Sequence, residues 1–244
     1  MRPGACAGGI AVVIDVLRAS TTIITALAHG AAGVRPVLTV EEALAEAAAG
    51  DVMLGGERGG RQIDGFDFGN SPLEYGRDRV GGRSVVITTT NGTAALHASA
   101  GAAEVLIGAI VNRSAVAAAA HTLAIKHGGC DIHLVCAGTD GAVTEEDLLA
   151  AGAILDAAVR HDGCTEDAFD ETGLQALGLF RATVAARPAA TDAIAHAFTS
   201  SIGGRNLIEI GMEADLPASA AIDSYSVVPR LGSDGQLHDA TFAF

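Results

Sequence analysis

Short aliphatic runs alternate with helix-forming segments through the first two-thirds of this chain. Runs of this kind, bounded by glycine and polar residues, are typical of buried strands, and the longer segments between them have the length of helices. The alternation predicts an α/β protein in which helices flank a mostly parallel or mixed sheet. The predicted strands are 10–16, 34–38, 52–54, 84–88, 104–107 and 131–136, and the predicted helices are 20–29, 40–49, 92–100, 114–127, 145–161, 174–186 and 191–199.

The length of the chain allows either of two domain arrangements. Its 244 residues are enough for one unit covering 1–244 or for two α/β lobes of about 1–125 and 126–244. Residues 55–82 are polar and rich in glycine and interrupt the alternation, so we expect a long functional loop there. Near the end of the chain, the Asp-Gly pair at 234–235 predicts the tight turn of a hairpin.

The charge balance excludes several classes of partner. With a net charge of −14 and Lys126 as the only lysine, the chain lacks the clustered cations that bind nucleic acid or an acidic membrane surface. A small anionic ligand needs only a few local arginines and stays compatible with this composition. No apolar run approaches the ~18 residues that would cross a bilayer.

The four cysteines form no Cys-x-x-Cys pair, which predicts reduced thiols and a cytoplasmic location. The prevalence of two-fold assemblies among oligomers predicts a homodimer.

The most informative stretch follows the first predicted strand. Asp15 and Arg18 are followed there by the hydroxyls of Ser20 and Thr21. Ligands of open α/β sheets bind where strands lead into helices, and a helix N-terminus favours anions. A carboxylate at an anion site needs a cation between the two charges, so the stretch predicts a metal-assisted site for a phosphorylated or similarly anionic ligand. A structural pair of Asp15 and Arg18 is the alternative interpretation.

Further polar groups follow the ends of the other predicted strands. In a parallel sheet these ends lie along one edge, so the groups should converge. Metal-assisted phosphoryl transfer needs carboxylates for a divalent ion, arginines to neutralise charge and backbone N–H groups around the oxygens. Helix capping by residues 145–147 and a flexible turn at 55–60 are the simpler interpretations. The groups are Glu57 and Arg58, Asn70 and Ser71, Thr90, Asn91, Gly92 and Thr93, Gly138 and Thr139, and Asp147.

Several common phosphate-handling signatures are missing from the sequence. There is no Gly-x-x-x-x-Gly-Lys-Ser/Thr loop, no Gly-x-Gly-x-x-Gly at the first helix and no Gly-x-Ser-x-Gly elbow. No cysteine is followed six residues later by an arginine, and Leu17 stands where a paired-aspartate phosphatase would have its second acid. Nucleotide hydrolysis, dinucleotide binding and these two kinds of phosphatase are therefore disfavoured.

Longer blocks lie in order along nearly the whole chain, at 13–22, 55–60, 66–72, 88–93, 136–139, 146–147, 151–152, 201–207, 223 and 227–229. Together these blocks resemble the 2-phosphosulfolactate phosphatase family. The resemblance implies an α/β fold and a magnesium-dependent hydrolase that converts 2-phospho-3-sulfolactate into 3-sulfolactate and phosphate, on the route to coenzyme M. Two other functions stay open: a phosphatase for another phosphorylated hydroxy acid, and a non-catalytic anion-binding protein of the same fold.

Positions within these blocks give each polar residue an expected role. The expected Mg²⁺ ligands are Asp15, Glu57 and Asp147, directly or through water, since magnesium prefers hard oxygen ligands. Catalysis is expected to involve Asp15 and Glu57 together with Arg18 and Arg58, which would bind phosphoryl or sulfonate oxygens. The donors around one anion would be Ser20, Thr21, Thr90, Asn91, Gly92 and Thr93, and those around the other end of the substrate Asn70, Ser71, Gly138 and Thr139. Attack by water and an aspartyl-phosphate at Asp15 are both open routes.

Overall fold

The computed structural model describes residues 4–139, 141–160 and 164–240. In these residues the chain forms a nine-stranded mixed sheet flanked by helices, which confirms the predicted fold class. The strands are β1 (Ile10–Ile14), β2 (Gly33–Pro36), β3 (Val52–Arg58), β4 (Arg61–Gln62), β5 (Ser84–Thr88), β6 (Glu104–Ile107), β7 (Ile132–Cys136), β8 (Pro229–Leu231) and β9 (Leu237–Asp239). The helices are α1 (Ala19–Ala28), α2 (Val40–Ala49), α3 (Arg77–Val80), α4 (Gly92–Ala98), α5 (Arg113–Lys126), α6 (Glu145–Val159), α7 (Glu171–Ala185), α8 (Ala190–Ser200), α9 (Ile202–Glu209) and α10 (Asp215–Ser219).

Most predicted elements lie within a few residues of their expected bounds. Helix α2 begins and ends where predicted. The helix predicted for 145–161 ends at Val159, and residue 161 lies outside the described part of the chain. The sequence pattern did not predict α3, α9 or α10. Helix α9 begins after Ser201, whose Oγ accepts the backbone N–H of Gly204 over 3.1 Å, so its start is fixed by an ordinary N-cap.

The sheet consists of two groups of parallel strands joined by a hairpin. Strands β6, β1 and β7 are parallel neighbours, and so are β3, β5 and β2. The hairpin of β8 and β9, whose connection contains Asp234 and Gly235 as predicted, lies between β6 and β2 and is antiparallel to both. Because each pairing from β6 through β8 and β9 to β2 is antiparallel, the two groups of parallel strands run in opposite directions.

The expectation that all strand ends share one edge is therefore wrong for this sheet. In a flat sheet of this topology, Asp15 after β1 and Glu57 at the end of β3 would lie at opposite edges. Nevertheless, the Arg18 guanidinium donates from Nη2 to the carbonyl oxygen of Gly60 over 2.6 Å, so the residues after β1 and β3 do meet.

The glycine-rich segment is more regular than the predicted loop. Strand β3 continues through Gly55 and Gly56, which pair with β5 and are therefore not a flexible turn. A Cβ at Gly55 would lie 2.1 Å from the hydroxyl oxygen of Tyr75, and one at Gly56 would lie 2.3 Å from the carbonyl oxygen of Thr88. The Tyr75 ring stacks on Phe68 with 4.7 Å between the ring centroids. These glycines are thus required by close packing.

The core is mostly aliphatic, with a few buried aromatic side chains such as Phe68, Tyr75 and Phe198. No residue of β1 is more than 1% exposed, so the strand that leads to Asp15 is held rigidly from both sides. Cys6, Cys130, Cys136 and Cys164 form no disulfide. In the described ranges, no helix combines the length and apolarity needed to span a membrane. Strands β7, β8 and β9 come from after residue 125 and pair with strands from before it, while the division into lobes stays a prediction.

Candidate active site

Asp15 lies at the centre of the candidate site, immediately after β1. Its Oδ1 accepts the backbone N–H of Ala19 over 3.3 Å, whereas Oδ2 accepts no hydrogen bond from the part of the chain described. The backbone N–H of Asp15 donates to Ser20 Oγ over 2.9 Å, and Ser20 Oγ donates to the carbonyl oxygen of Val13 over 3.3 Å. The turn after β1 is thus tied in place and presents one free carboxylate oxygen.

The electrostatic surroundings of Asp15 disfavour its negative charge. Burial raises the pKa of Asp15, and the carboxylates of Glu57 and Glu146 raise it further. The backbone N–H of Ala19 and the Arg18 guanidinium act in the opposite direction, and the resulting pKa is about 6. A bound cation would relieve this repulsion.

Glu57 connects two loops at the other side of the site. Its side chain is 7% exposed, and each carboxylate oxygen accepts a backbone N–H, Oε1 from Thr90 and Oε2 from Gly60, both over 2.7 Å. Each oxygen retains a second lone pair. Glu57 therefore fixes the approach of the loop after β5 and contributes a second negative charge near Asp15.

Asp147, like Glu57, is a buried carboxylate whose two oxygens both accept backbone N–H groups. It is 3% exposed, and its Oδ1 and Oδ2 accept the backbone N–H groups of Val16 and Gly138, each over 2.9 Å. Burial raises its pKa well above the ordinary value, and the negative charge of Asp15 adds to that rise. Asp147 thus joins the residues after β1 to those after β7. This burial is inconsistent with a role limited to helix capping, the simpler interpretation of residues 145–147.

Glu146 is a further site residue, which the sequence analysis placed in a block of the family resemblance and in the first turn of a helix but gave no ligand role. It is 3% exposed, and its Oε1 accepts the backbone N–H of Gly203 over 2.9 Å. Its Oε2 is buried and has no hydrogen-bond partner among the described residues. Its charge raises the pKa of both Asp15 and Asp147. Its sequence signals were that block and its position beside Asp147 in the first turn of α6.

The two arginines expected to bind oxyanions have different surroundings. Arg18 is 4% exposed and donates from Nη1 to Asp215 Oδ2 over 2.9 Å, so its charge is already neutralised by a buried carboxylate. Arg58 is exposed and donates to the carbonyl oxygen of Glu57 over 2.7 Å and to Thr88 Oγ1 over 3.0 Å. Over the ranges described, Arg58 forms no ion pair with a carboxylate. Its charge is therefore available to an anion.

Several expected hydroxyl donors turn out to stabilise the backbone. Ser20 holds the turn after β1, as described above. Thr21 Oγ1 donates to the carbonyl oxygen of Val16, and Thr93 Oγ1 donates to that of Thr89, both over 2.8 Å. Ser71 Oγ donates to Asp215 Oδ1 over 2.5 Å. The hydrogen bonds of these hydroxyls hold the segments around the site in place, so their protons are not available to a ligand.

Other expected ligand-binding residues lie at the accessible surface of the site. Thr90 is exposed and Asn91 partly exposed at the start of α4. A Cβ at Gly92 would lie 2.7 Å from Asp15 Oδ2, so this turn approaches Asp15 as closely as a glycine allows. Asn70 is 4% exposed, and within the described ranges its Oδ1 has no hydrogen-bond partner, so this polar atom is open to a ligand.

Gly138 and Thr139 form a tight turn after β7. The backbone N–H of Gly138 is used by Asp147, and that of Thr139 donates to the carbonyl oxygen of Ala142 over 3.0 Å. Gly138 has a φ of +66°, and a Cβ there would lie 2.1 Å from the Ala142 carbonyl oxygen. The structure therefore connects Gly138 to the acidic cluster through Asp147, and shows no contact of Thr139 with Asp15 or Glu57.

The donor set is compatible with magnesium. Within residues 4–139, 141–160 and 164–240, no group of three His, Cys, Asp or Glu side chains is arranged to hold a metal ion by itself. Magnesium in phosphoryl-transfer sites usually takes one or two carboxylates and completes its shell with waters and substrate phosphate oxygens. The free Oδ2 of Asp15 within a cluster of carboxylates fits such an open site, whereas a closed site of the structural zinc type is not present in these residues.

The fold and the site together define an α/β protein with an acidic cluster beside an available guanidinium, an arrangement suited to an anionic substrate. Comparison with known proteins is more specific. The family model of 2-phosphosulpholactate phosphatase matches residues 2–234, and the chain belongs to this family of phosphoric monoester hydrolases.

Three relatives, each described as a probable 2-phosphosulfolactate phosphatase, illustrate the similarity. The protein of Symbiobacterium thermophilum is 40% identical over 95% of this chain and 94% of its own length. Those of Deinococcus radiodurans and Thermotoga petrophila are 42% and 39% identical, each over 91% of this chain and over 87% and 88% of their own lengths.

Proposed function

We propose that this protein is a magnesium-dependent phosphatase that hydrolyses 2-phospho-3-sulfolactate to 3-sulfolactate and phosphate. The substrate follows from the family and from the names of its relatives. The observation that carries the metal dependence is Asp15, whose pKa is raised to about 6 by burial and neighbouring carboxylates, while its Oδ2 accepts no hydrogen bond from the residues that the structure describes. A divalent cation at this point would remove the repulsion and allow a phosphate to approach.

Asp15 is the residue best suited to bind the ion directly. Glu57 and Asp147 keep lone pairs beyond their backbone hydrogen bonds and would act directly or through water, as would Glu146. When bound, magnesium neutralises phosphoryl oxygens and polarises phosphorus for attack. Glu57, Asp147 and Glu146 also hold the site in place, because each accepts a hydrogen bond from a segment that is distant in sequence.

The remaining chemistry belongs to the residues that face the substrate. The Arg58 guanidinium binds an oxyanion of the phosphoryl or sulfonate group, and its planar fork suits either group. The Asn70 amide and the turn from Thr90 to Gly92 orient a second set of oxygens. Hydrolysis then breaks the bond between phosphorus and the ester oxygen, either by attack of a water beside Asp15 or by attack of Asp15 itself, followed by hydrolysis of the aspartyl-phosphate.

The substrate preference is tested with three phosphate esters. Phosphate release is measured from 2-phosphosulfolactate, phospholactate and p-nitrophenyl phosphate, with magnesium and with a chelator. We expect magnesium-dependent release that strongly favours the sulfonated substrate. Equal release from all three would support a phosphatase for another hydroxy acid, and binding without release would support the non-catalytic alternative.

A cytoplasmic location, a homodimeric state and a place on the route to coenzyme M belong to the same proposal.

Replacing Arg58 with alanine is expected to raise KM for 2-phosphosulfolactate by about 10–100-fold, because a hydrogen bond to a charged group contributes ~1.5–3 kcal/mol. The change in kcat should be smaller, since Arg58 has no contact with Asp15 that would alter the attacking group. Arg61→Ala is the matched control, because Arg61 is also exposed and lies on the adjacent strand β4. Steady-state kinetics of both variants provide the measurement, and an unchanged KM for Arg58→Ala would contradict the assignment.

A further inference from the structure

Asp215 connects two segments of the site. It is the first residue of α10 and is 1% exposed. Its Oδ2 accepts a hydrogen bond from Arg18 Nη1 over 2.9 Å, and its Oδ1 accepts one from Ser71 Oγ over 2.5 Å. A single buried carboxylate therefore binds the turn after β1 and the segment that carries Asn70.

The contacts of Asp215 continue into the acidic cluster. Arg18 Nη2 donates to the carbonyl oxygen of Gly60 over 2.6 Å, and the backbone N–H of Gly60 donates to Glu57 Oε2 over 2.7 Å. Glu57 Oε1 in turn accepts the backbone N–H of Thr90 over 2.7 Å. An unbroken chain of hydrogen bonds thus leads from α10 to the turn beside Asp15.

This arrangement differs from a buried ion pair that serves stability alone. Asp156, which is 4% exposed, accepts hydrogen bonds from Arg113, Arg160 and Arg181, and joins α5, α6 and α7. None of these three arginines bonds to a residue of the acidic cluster. Asp156 and Asp215 are therefore both buried aspartates with arginine partners, and only Asp215 of these two is connected to the site.

We propose that Asp215 is a positioning residue of the phosphate-binding site, acting through Arg18 and Ser71. Asp215 neutralises the charge of Arg18. Arg18 then holds the carbonyl oxygen of Gly60 in place, and the N–H of Gly60 holds Glu57 in the geometry that receives the substrate. The inference rests on the proposed function, because it concerns the same site. In this proposal Arg58 provides the positive charge that faces the substrate, and Arg18 has the positioning role.

The test compares Asp215→Asn and Ser71→Ala with Asp156→Asn as the matched control. Each variant is studied well below its unfolding temperature, and its affinity for inorganic phosphate in the presence of magnesium is measured by calorimetry, together with kcat and KM. We expect the phosphate affinity of Asp215→Asn to be at least about 10-fold lower, because the charge-assisted contact with Arg18 is lost. Ser71→Ala should show a smaller loss in the same direction, and Asp156→Asn should lose thermal stability but retain phosphate affinity.

The possible outcomes separate the inference from the proposed function. A folded Asp215→Asn variant with phosphate affinity within twofold of wild type would overturn the inference alone. If Asp215→Asn does not fold, Ser71→Ala decides, because it keeps the ion pair with Arg18, and unchanged affinity in that variant would overturn the inference as well. A wild-type protein that binds no phosphate would contradict the proposed function and this inference with it.

Discussion

Replacing Asp15 with asparagine is expected to lower kcat/KM by at least about 10²–10³-fold, the loss typical when one electrostatic group of a reaction site is removed. Asparagine has nearly the same shape and can still accept the Ala19 N–H, but it lacks the negative charge that would bind magnesium and activate the attacking group. Steady-state phosphate release measures the loss. Calorimetric titration with magnesium should show weaker binding in the same variant.

The same substitution should stabilise the metal-free protein at neutral pH. The pKa of Asp15 is raised from 3.8 to about 6 in the folded state, so the folded protein holds the proton more tightly than the unfolded chain. The stability contributed by that proton is present at low pH and is lost as pH rises from about 4 to about 6. The free energy of unfolding falls by at most about 3 kcal/mol over this pH range, and the asparagine variant should not show this fall.

Chemical unfolding of both proteins in chelator at pH 5 and pH 8 measures this difference. Asp64→Asn is the control, because Asp64 is exposed and lies outside the acidic cluster. An Asp15→Asn protein that retains turnover would remove Asp15 from the reaction. A variant that loses turnover without gaining stability at pH 8 would instead show that the charge of Asp15 is not unfavourable in the folded protein.

Gly152→Ala should cause a large loss of stability although it adds only one methyl group. A Cβ at Gly152 in α6 would lie 2.0 Å from the carbonyl oxygen of Ala176 in α7, so the two helices must separate. Overpacking of this kind costs about 1–3 kcal/mol and sometimes more, and we expect the upper end because the obstructing atom belongs to the backbone. Urea unfolding at pH 7 measures the change.

Gly178→Ala in α7 is the matched control for this prediction. No atom lies within 4 Å of a Cβ at Gly178, so the alanine should stabilise the helix by up to about 1 kcal/mol. Opposite signs for the two substitutions would confirm that the α6 glycine is required by helix contact. Equal effects would show that the helices can adjust without cost.

The sequence predicted the fold class and most of the elements because their signals are local. Aliphatic runs such as 10–14 are buried on both faces of the sheet, and α2 has the bounds expected from its sequence. The sequence also predicted that Asp15, Glu57 and Asp147 lie close together; Glu57 raises the pKa of Asp15, and Asp15 raises that of Asp147. Strand β3 was predicted too short, because glycines normally indicate turns and nothing local showed that Tyr75 and Thr88 would pack against them.

The residues missed at the site have partners far away in sequence. Asp215 is separated by 197 positions from Arg18, and Glu146 by 57 positions from Gly203. No periodicity or spacing links such pairs. They could be identified only once the chain was folded, when burial left each carboxylate with a limited choice of hydrogen-bond donors.

The sequence by itself therefore determined the local elements, the acid at the end of the first strand and the family, because each depends on neighbouring residues or on extended similarity. The tertiary structure decided the opposite directions of the two groups of strands and the contact of Arg18 with Gly60, which joins the residues after β1 to those after β3. It also decided which arginine is free: Arg18 is neutralised by a buried aspartate, while Arg58 remains exposed without a carboxylate partner among the residues described. Burial and pairing depend on the packing of distant segments, and that packing is not encoded in any single stretch of the chain.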